Sequence, residues 1–591
     1  MTARDDWRAR LHERSGEAAP AAPVDLPAPE RVVATPGAGH VTLTWDPVPG
    51  AIGYLVTRDG VPVPPPDVDV PAVPSCRYVD TGTGEAAYTV AALATMENRG
   101  PACPPVTAAP APGGGAPPRV EVAVDAGTAT GPTARPWQPM IGSEHLSHLL
   151  SEDESGGRPI GAELAEALRI VHDELGVRAV RAHAVLCDDL GVYPGHDFSR
   201  VDRVYDLVTG LGLRPVVELG FMPRALAADP SATVFSYEAI ISPPSDYRAW
   251  GELVRALVAH LAGRYGIREL VEHWAFEVWN EPNLAVFWSG TPEEYFRLYD
   301  VTAAAVKSVH PDLRVGGPAS AADGWVEELL AHVDASGAAL DFVSTHTYGN
   351  APLDWRPALA RHGRAGTPIW WTEWGPTPTH FHGIGDGPFG AAFVLHGMRS
   401  AAGRVDALAH WVASDHFEEL GRPPRLFHGG FGLLTVGNLR KPRFHALALA
   451  SRLGDAELAA TVTGDAGGVE AWAAAHPDGR VGVLAWNVTL NHTQAGGAAE
   501  LDRRVALTVT GLRGGCTVTH HRIDHRHTDI EGAWQAMGGG DWPDPGQWDK
   551  LRAADRVDEY APATRVTAVE GTVRLEFELP MPGVSFVEFA P

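Results

Sequence analysis

The stretch Trp274-Ala-Phe-Glu-Val-Trp-Asn-Glu-Pro-Asn-Leu284 decides the fold. It is an apolar run that breaks off at Asn280-Glu281-Pro282. Proline lacks a backbone N–H and cannot extend a central strand, so the chain must turn there. A carboxylate at the C-terminal lip of a buried strand is where a (β/α)8 barrel places its chemistry. A second run, Pro368-Ile-Trp-Trp-Thr-Glu-Trp-Gly375, puts Glu373 in the same position. Around these two, from about residue 137 to 455, strand and helix patterns alternate as parallel βα units do. Strands are expected to end near Gly142, His183, Glu218, Glu281, Gly317, His346, Glu373 and Ser414. Asp246–Gly263 and Pro292–His310 read as amphipathic helices between them.

Outside this region the patterning changes. Residues 1–21 are charged and alanine-rich and are expected to be disordered. Residues 22–108 carry short alternating runs closed by turns: Val41-Thr-Leu-Thr-Trp45, Gly53–Gly60 and Ala87–Leu93. These predict a small β-sandwich, and the order Trp45, Tyr54, Tyr88 resembles a fibronectin type III module. Since no exposed aromatic row is evident, a spacer or buttress is favoured over a carbohydrate-binding role. Residues 109–118 are a Pro/Gly linker. The barrel is expected over 119–455, with the run Pro118–Val124 a candidate to join a second sandwich. That accessory β-sandwich, 456–591, is predicted from Gly468–Ala474, Val481–Asn487, Val505–Thr510, Cys516–Ile523 and Val573–Leu579. The predicted fold class is therefore multidomain: a (β/α)8 TIM barrel with a sandwich at each end.

At 591 residues the chain exceeds a single core. It is 45% hydrophobic and 20% charged, the balance of a globular protein. Lys+Arg number 47 against 73 Asp+Glu, a formal charge of −26, which argues against nucleic acid or an anionic membrane as partner. The N-terminus lacks an apolar signal core and no stretch is long enough to span a bilayer, so a cytoplasmic location is expected. Cys76, Cys103, Cys187 and Cys516 show no metal spacing and are expected as free thiols, with Cys76 and Cys103 as the alternative bridged pair. His520-His-Arg-Ile-Asp-His-Arg-His527 has a metal-tract composition, but strand alternation would send its neighbours to opposite faces. No metal and no cofactor are expected. The oligomeric state is not readable, a homo-oligomer being allowed.

Two carboxyl groups flanking a glycosidic bond hydrolyse it with retention when about 5–5.5 Å apart and with inversion at about 6.5–9.5 Å. Glu281 and Glu373, from non-adjacent strands of one barrel, could face each other across such a gap. Here the chain resembles the retaining barrel glycosidases and, within them, glycoside hydrolase family 39, the β-xylosidase and α-L-iduronidase family. The matching runs include Leu186–Tyr193, Arg214–Pro223, Phe276–Leu284, Val315–Ala319, Ser414–Glu419 and Phe427–Leu434. The resemblance spans about residues 118–591.

It implies Glu281 as general acid/base, Glu373 as nucleophile and Asn280 as the partner of the sugar 2-OH. It also implies His183 and His346 lining subsite −1, Tyr348 on the nucleophile, Trp411 as a platform and Glu419 on hydroxyls of the terminal sugar. Three departures surround that subsite. Gly142-Ser-Glu-His-Leu-Ser-His148 replaces a Gly-Thr/Ser-Gly-Arg run, Trp411-Val-Ala-Ser-Asp415 loses an aromatic wall, and the loop between His346 and Glu373 is short. Glu144, His145 and His148 thus become candidates for altered recognition. The expected activity is a retaining exo-glycosidase of β-xylosidase type acting on an oligosaccharide or small glycoside. An α-L-arabinofuranosidase, another specificity of the family, a transglycosidase and a non-catalytic carbohydrate-binding protein are the alternatives.

Overall fold

The computed structural model describes residues 3–18, 23–63 and 69–591. Its centre is an eight-stranded parallel sheet: β1 (Ile141–Ser143), β2 (Ala179–Ala182), β3 (Arg214–Leu219), β4 (Ala275–Val278), β5 (Val315–Ser320), β6 (Phe342–Tyr348), β7 (Ile369–Gly375) and β8 (Ala407–His410). Each strand pairs with the next in parallel. Just past β8, Ala413 N–H donates to Gly142 C=O at 3.0 Å, which brings the last strand back to the first. A helix follows every strand, from Ile160–Leu175 to Pro442–Ser451.

The helices start where side chains satisfy their free N–H groups. Asp246 accepts from the N–H groups of Arg248 and Ala249 ahead of Tyr247–Tyr265. Thr291 and Glu294 form a capping box ahead of Pro292–Val309, with Pro292 in the first turn. Both helices match their expected spans to within two residues at each end.

The barrel interior divides into two layers. At the bottom Met140, Ala179, Val216, Ala275, Phe342, Trp370, Ala407 and Ala409 form a buried apolar plug. In it the Phe342 and Trp370 rings stack at 4.0 Å. The upper layer is ionic and is described below. Gly142 has a steric duty at the top: a Cβ there would lie 2.4 Å from the Trp411 ring.

The accessory domain is one nine-stranded sheet. Arg119–Pro132 belongs to it, pairing antiparallel with Ala456–Gly464 and parallel with Arg503–Thr510. Strands from both halves of the sheet share one core, with Val120, Val122, Val483, Leu507, Phe577 and Phe589 in it. In the His520–His527 tract His520 turns inward to Ser585 Oγ at 3.0 Å, beside a half-exposed His521. Among the described residues the tract forms no group of three metal donors.

The N-terminal domain has a three-stranded sheet (Val33–Gly37, His40–Thr44, Arg77–Asp80) and a five-stranded one (Gly53–Arg58, Val61–Val63, Ala86–Leu93, Arg99–Ala102, Val106–Ala108). Trp45, Tyr54 and Tyr88 are all core residues of it. Tyr88 donates to Asp80 Oδ2 at 2.7 Å, which satisfies a buried hydroxyl. All four cysteines are free.

This domain sits against the barrel rim. Asn350 Nδ2 donates to Ala72 C=O at 2.6 Å and Asp354 N–H to Ile52 C=O at 2.8 Å, so it occupies the space above the short loop after β6. Within residues 1–21 the structure departs from the expected disorder. Ala3–Arg10 is a helix, and the chain after it crosses the barrel mouth, with residues 1–2 and 19–21 outside the described part. Composition pointed the other way because few large apolar side chains, the buried Trp7 and the partly buried Leu11, anchor the segment.

Candidate active site

The two carboxylates meet because their strands end in different ways. After β4 the chain turns through Trp279 at φ 70° and Glu281 at φ 42°, conformations that cost a non-glycine residue roughly 1–3 kcal/mol each. The turn is held by Glu281 N–H to Ala319 C=O at 2.8 Å and Trp279 Nε1 to Phe287 C=O at 2.9 Å. Asn283 also bonds both ways with the Ala321 backbone at 2.9 Å. Strain at such a turn serves to aim Glu281 inward. On β7, Glu373 pairs in register with His346 of β6 just after a bulge. One carboxylate oxygen of Glu281, one of Glu373 and Nδ1 of His346 lie within 4.8 Å of one another.

Below them lies the ionic layer. Arg181 of β2 is completely buried. Its guanidinium donates to Glu373 Oε1 at 2.5 Å, Glu277 Oε2 at 2.8 Å and Asn280 Oδ1 at 2.9 Å, and lies 2.9 Å from Glu218 Oε2. Glu218 and Glu277 stand opposite each other in the β3–β4 register. Tyr348 completes the shell, donating to Glu373 Oε2 at 2.7 Å. Burial pushes both carboxyls, Glu281 and Glu373, upward in pKa. At Glu373 the charges of Arg181 and His183 and the Tyr348 hydroxyl pull the other way. At Glu281, Glu373 and Asp69 push further in the same direction as burial, against Arg181 and Arg14. Glu373 therefore ionises first and Glu281 keeps its proton.

A hydrogen-bond chain agrees with that assignment. Thr372 donates to Glu277 Oε1 at 2.8 Å, so its oxygen is left to accept from His346 Nε2–H at 3.0 Å. Burial, then the charges of Arg181 and His183, hold His346 far below the ordinary imidazole range, hence neutral. With Nε2 protonated, Nδ1 is an acceptor, and Glu281 Oε1 at 2.8 Å must be the donor. Thr372→Val removes the hydroxyl that fixes this tautomer. The basic limb of the kcat/KM profile is expected to move down and turnover of poor leaving groups to fall about ten-fold, within the range for general acid catalysis; a pH–rate profile checks it.

Removing Arg181 has a larger structural effect. Arg181→Met leaves Glu218, Glu277 and Glu373 buried together without their cation. Breaking a buried pair in this way costs about 3–5 kcal/mol. A lower denaturation midpoint, with an acid limb displaced upward as Glu373 becomes harder to ionise, is the expected result.

The remaining expected residues divide. Asn280, His183, Tyr348, Trp411 and Glu419 line one cavity together with Glu281 and Glu373. His183 Nδ1 is engaged by Glu218 at 2.6 Å, and its Nε2 lies 3.7 Å from both Glu373 and Glu419. Glu419 is pushed well up in pKa by burial and by the surrounding carboxylates. His380 Nε2 stands 3.0 Å from it. Trp411 offers its ring beside His183 at 4.8 Å. The aromatic wall expected to be missing after Trp411 is supplied from elsewhere: Phe431 lines the cavity and packs edge-on to Phe417 at 5.4 Å.

His346 acts from behind Glu281, not on the cavity wall. Glu144 and His145 are also off the wall, beneath the loop that carries Glu419, where Glu144 Oε2 accepts from Glu418 N–H at 3.0 Å. Glu144, His145 and His148 could together offer three donors to a metal, their ligand atoms lying within 4.8 Å of one another. Burial raises Glu144 to about 7, against the pull of His148. Burial also opposes the charge on His148, but Glu144 and Glu418 outweigh it and raise its pKa. His148 Nδ1 lies 3.2 Å from Glu144 Oε2.

Sequence reading missed Arg181, Glu277, Phe431 and the N-terminal residues Trp7, Leu11, His12, Arg14 and Asp69 that complete the cavity. A charged residue inside an apolar strand, as in Ala179-Val-Arg-Ala182, was the available signal for the first two.

Comparison with known proteins agrees with this geometry. A model of the family described as Glycosyl hydrolases family 39 matches residues 120–360 and 356–574. A "Beta-xylosidase" of Geobacillus stearothermophilus is 31% identical over 470 residues, 73% of this chain and 90% of the relative. One of Caldicellulosiruptor saccharolyticus is 35% identical over 362 residues, 56% of this chain and 72% of the relative. The crystal structure of a monomeric beta-xylosidase from Caulobacter crescentus superposes with a TM-score of 0.69 at 31% identity, covering 80% of this chain and 99% of that one.

Proposed function

The chain belongs to glycosyl hydrolases family 39, and we propose that within it this protein is a retaining exo-β-D-xylosidase. The observation that carries the reading is the carboxyl pair: oxygens of Glu281 and Glu373 within 4.8 Å, with Glu373 alone of the two hydrogen-bonded by Arg181 and Tyr348 and Glu281 pushed well up in pKa by burial and by the charge of Glu373. That proximity fits the roughly 5–5.5 Å spacing of a retaining pair better than the roughly 6.5–9.5 Å of an inverting one. Glu373 attacks the anomeric carbon as Glu281 passes its proton to the leaving oxygen, and the glycosidic C–O bond breaks. Glu281, now a carboxylate, takes a proton from water, whose oxygen displaces Glu373 from the sugar.

Asn280 is fixed by Arg181 through its Oδ1, which leaves its Nδ2 for the 2-OH. Trp411 and Glu419 line the same cavity as the two carboxyl groups. Two of the relatives carry the xylosidase name at 31–35% identity, which supports xylose over arabinofuranose.

Release of p-nitrophenol from a panel of β-D-xyloside, α-L-arabinofuranoside, α-L-arabinopyranoside, β-D-glucoside and β-D-galactoside tests it, with the first anomer formed read by NMR. The xyloside is expected to turn over fastest and to give β-xylose. Turnover of another sugar alone would retire xylose, and an α-product would retire the retaining mechanism.

A further inference from the structure

Residues before 120 lie outside the family match, yet they help to enclose the cavity. Trp7, Leu11, His12 and Arg14 face it from the N-terminal segment, and Asp69 from the N-terminal sandwich. The segment is tied to the barrel. Ser15 N–H donates to Asn283 C=O at 3.1 Å and Ala285 N–H to Glu13 C=O at 3.0 Å, so it hydrogen-bonds to the loop that begins at Glu281. Trp7 is 3% exposed. Its ring meets Phe235 at 5.9 Å, Phe287 at 6.0 Å and His380 at 5.5 Å, side chains carried by the loops after β3, β4 and β7. The segment thus spans the mouth as a strap. Asp69 is fixed from the other side, exchanging hydrogen bonds with the Tyr348 backbone at 3.1 Å in both directions.

Chemistry places the leaving group here. The glycosidic oxygen must lie against the proton of Glu281, so the departing group leaves on the Glu281 side, away from Glu373. That side is bounded by Leu284 and Phe287 of the barrel loop and by the strap paired to it. Asp69 and Arg14 line the same cavity as Glu281. Leu11, Leu284 and Phe287 give the lining apolar surface, and Arg14 and Asp69 give it polar groups. Apolar surface with a few polar groups suits a single sugar or phenol ring.

We propose that residues 3–18 and Asp69 form the leaving-group subsite, a compartment for one ring that lays its face on Leu11, Leu284 and Phe287 and turns its hydroxyls to Arg14 and Asp69. The proposal rests on the glycosidase reading above and adds who the leaving group is: one sugar or one phenol, not a long chain, because Trp7 crosses the path a chain would take.

The test compares substrates that differ only in what leaves. β-Xylosyl fluoride has no ring to bind, whereas xylobiose and p-nitrophenyl β-xyloside do. Full-length Trp7→Ala and Arg14→Ala are expected to lose at least about ten-fold more kcat/KM on the ring-bearing substrates than on the fluoride. Xylotriose and longer chains should gain relative to xylobiose in Trp7→Ala. A selective loss on xylobiose alone assigns the compartment to a sugar, and one on the aryl glycoside alone assigns it to a phenol. Equal losses on fluoride and ring-bearing substrates, or no loss on any, would overturn the proposal. Arg14 is exposed, so its variant carries the test should Trp7→Ala fold poorly. If a sugar other than xylose is the one turned over, the same comparison is made with its fluoride and aryl glycoside, so the failure of one reading is not mistaken for that of the other.

Discussion

Glu373→Ala is expected to lower kcat on p-nitrophenyl β-xyloside by on the order of 10⁵-fold, about 7 kcal/mol of barrier at 1.36 kcal/mol per decade. In the proposed mechanism Glu373 supplies the oxygen that bonds to the anomeric carbon. Tyr348 is held as a neutral phenol by burial and the nearby carboxylates, and burial and the neighbouring carboxylates push Glu419 well up in pKa, which disfavours its nucleophilic anion. The variant should still fold, because Arg181 keeps Glu218 and Glu277 as partners. The vacated space then admits a small anion beside the guanidinium. Azide is expected to restore release of p-nitrophenol by attacking the anomeric carbon from the side Glu373 used, so that the C–O bond breaks, the aryloxide leaves and an α-glycosyl azide forms. The inverted product separates the two roles, since an acid/base variant rescued by azide gives the β-azide from the covalent intermediate. Undiminished turnover in Glu373→Ala, or a β-azide from it, would show that the nucleophile lies elsewhere.

The barrel was legible because periodicity and punctuation agreed: apolar runs stopped at Pro282 and Gly375, and each stop left a glutamate at the lip. The same logic failed one layer down. Arg181 and Glu277 sit within strands whose other residues are apolar, and charge within a strand reads as a solvent-facing position. In a closed barrel the inward face above the plug is where a polar layer can be satisfied, and only the closed geometry shows Arg181 meeting three carboxylates. Local sequence could not show that a histidine one residue past a bulge would stand behind Glu281 rather than beside the sugar. The strap was the least readable part. Its composition carries almost no apolar content, and one tryptophan placed over Phe235, Phe287 and His380 supplies the anchoring that a hydropathy window averages away.

The second large effect is at Glu281, and it depends on what must leave. Glu281→Gln keeps the size of the side chain and removes the transferable proton. For xylobiose the departing sugar alkoxide cannot leave unprotonated, and kcat/KM is expected to fall by about 10³–10⁴-fold, the upper range for general acid catalysis. For p-nitrophenyl β-xyloside the aryloxide leaves without help, so glycosylation persists. Deglycosylation then lacks its base, and a burst of p-nitrophenol followed by a slow steady state is the expected time course.

The pH profile carries the sign. Burial and the charge of Glu373 raise the pKa of Glu281, so wild-type activity on xylobiose is present below that pKa and is lost as pH rises through it. The acid limb falls where Glu373 takes up a proton. In Glu281→Gln the basic limb should disappear while the acid limb stays, because glutamine does not titrate and Glu373 keeps Arg181. A basic limb that survives unchanged in the variant would assign the titration to another group and remove Glu281 from the role of acid. A burst absent from the aryl glycoside would leave Glu281 as acid but deny it the second step.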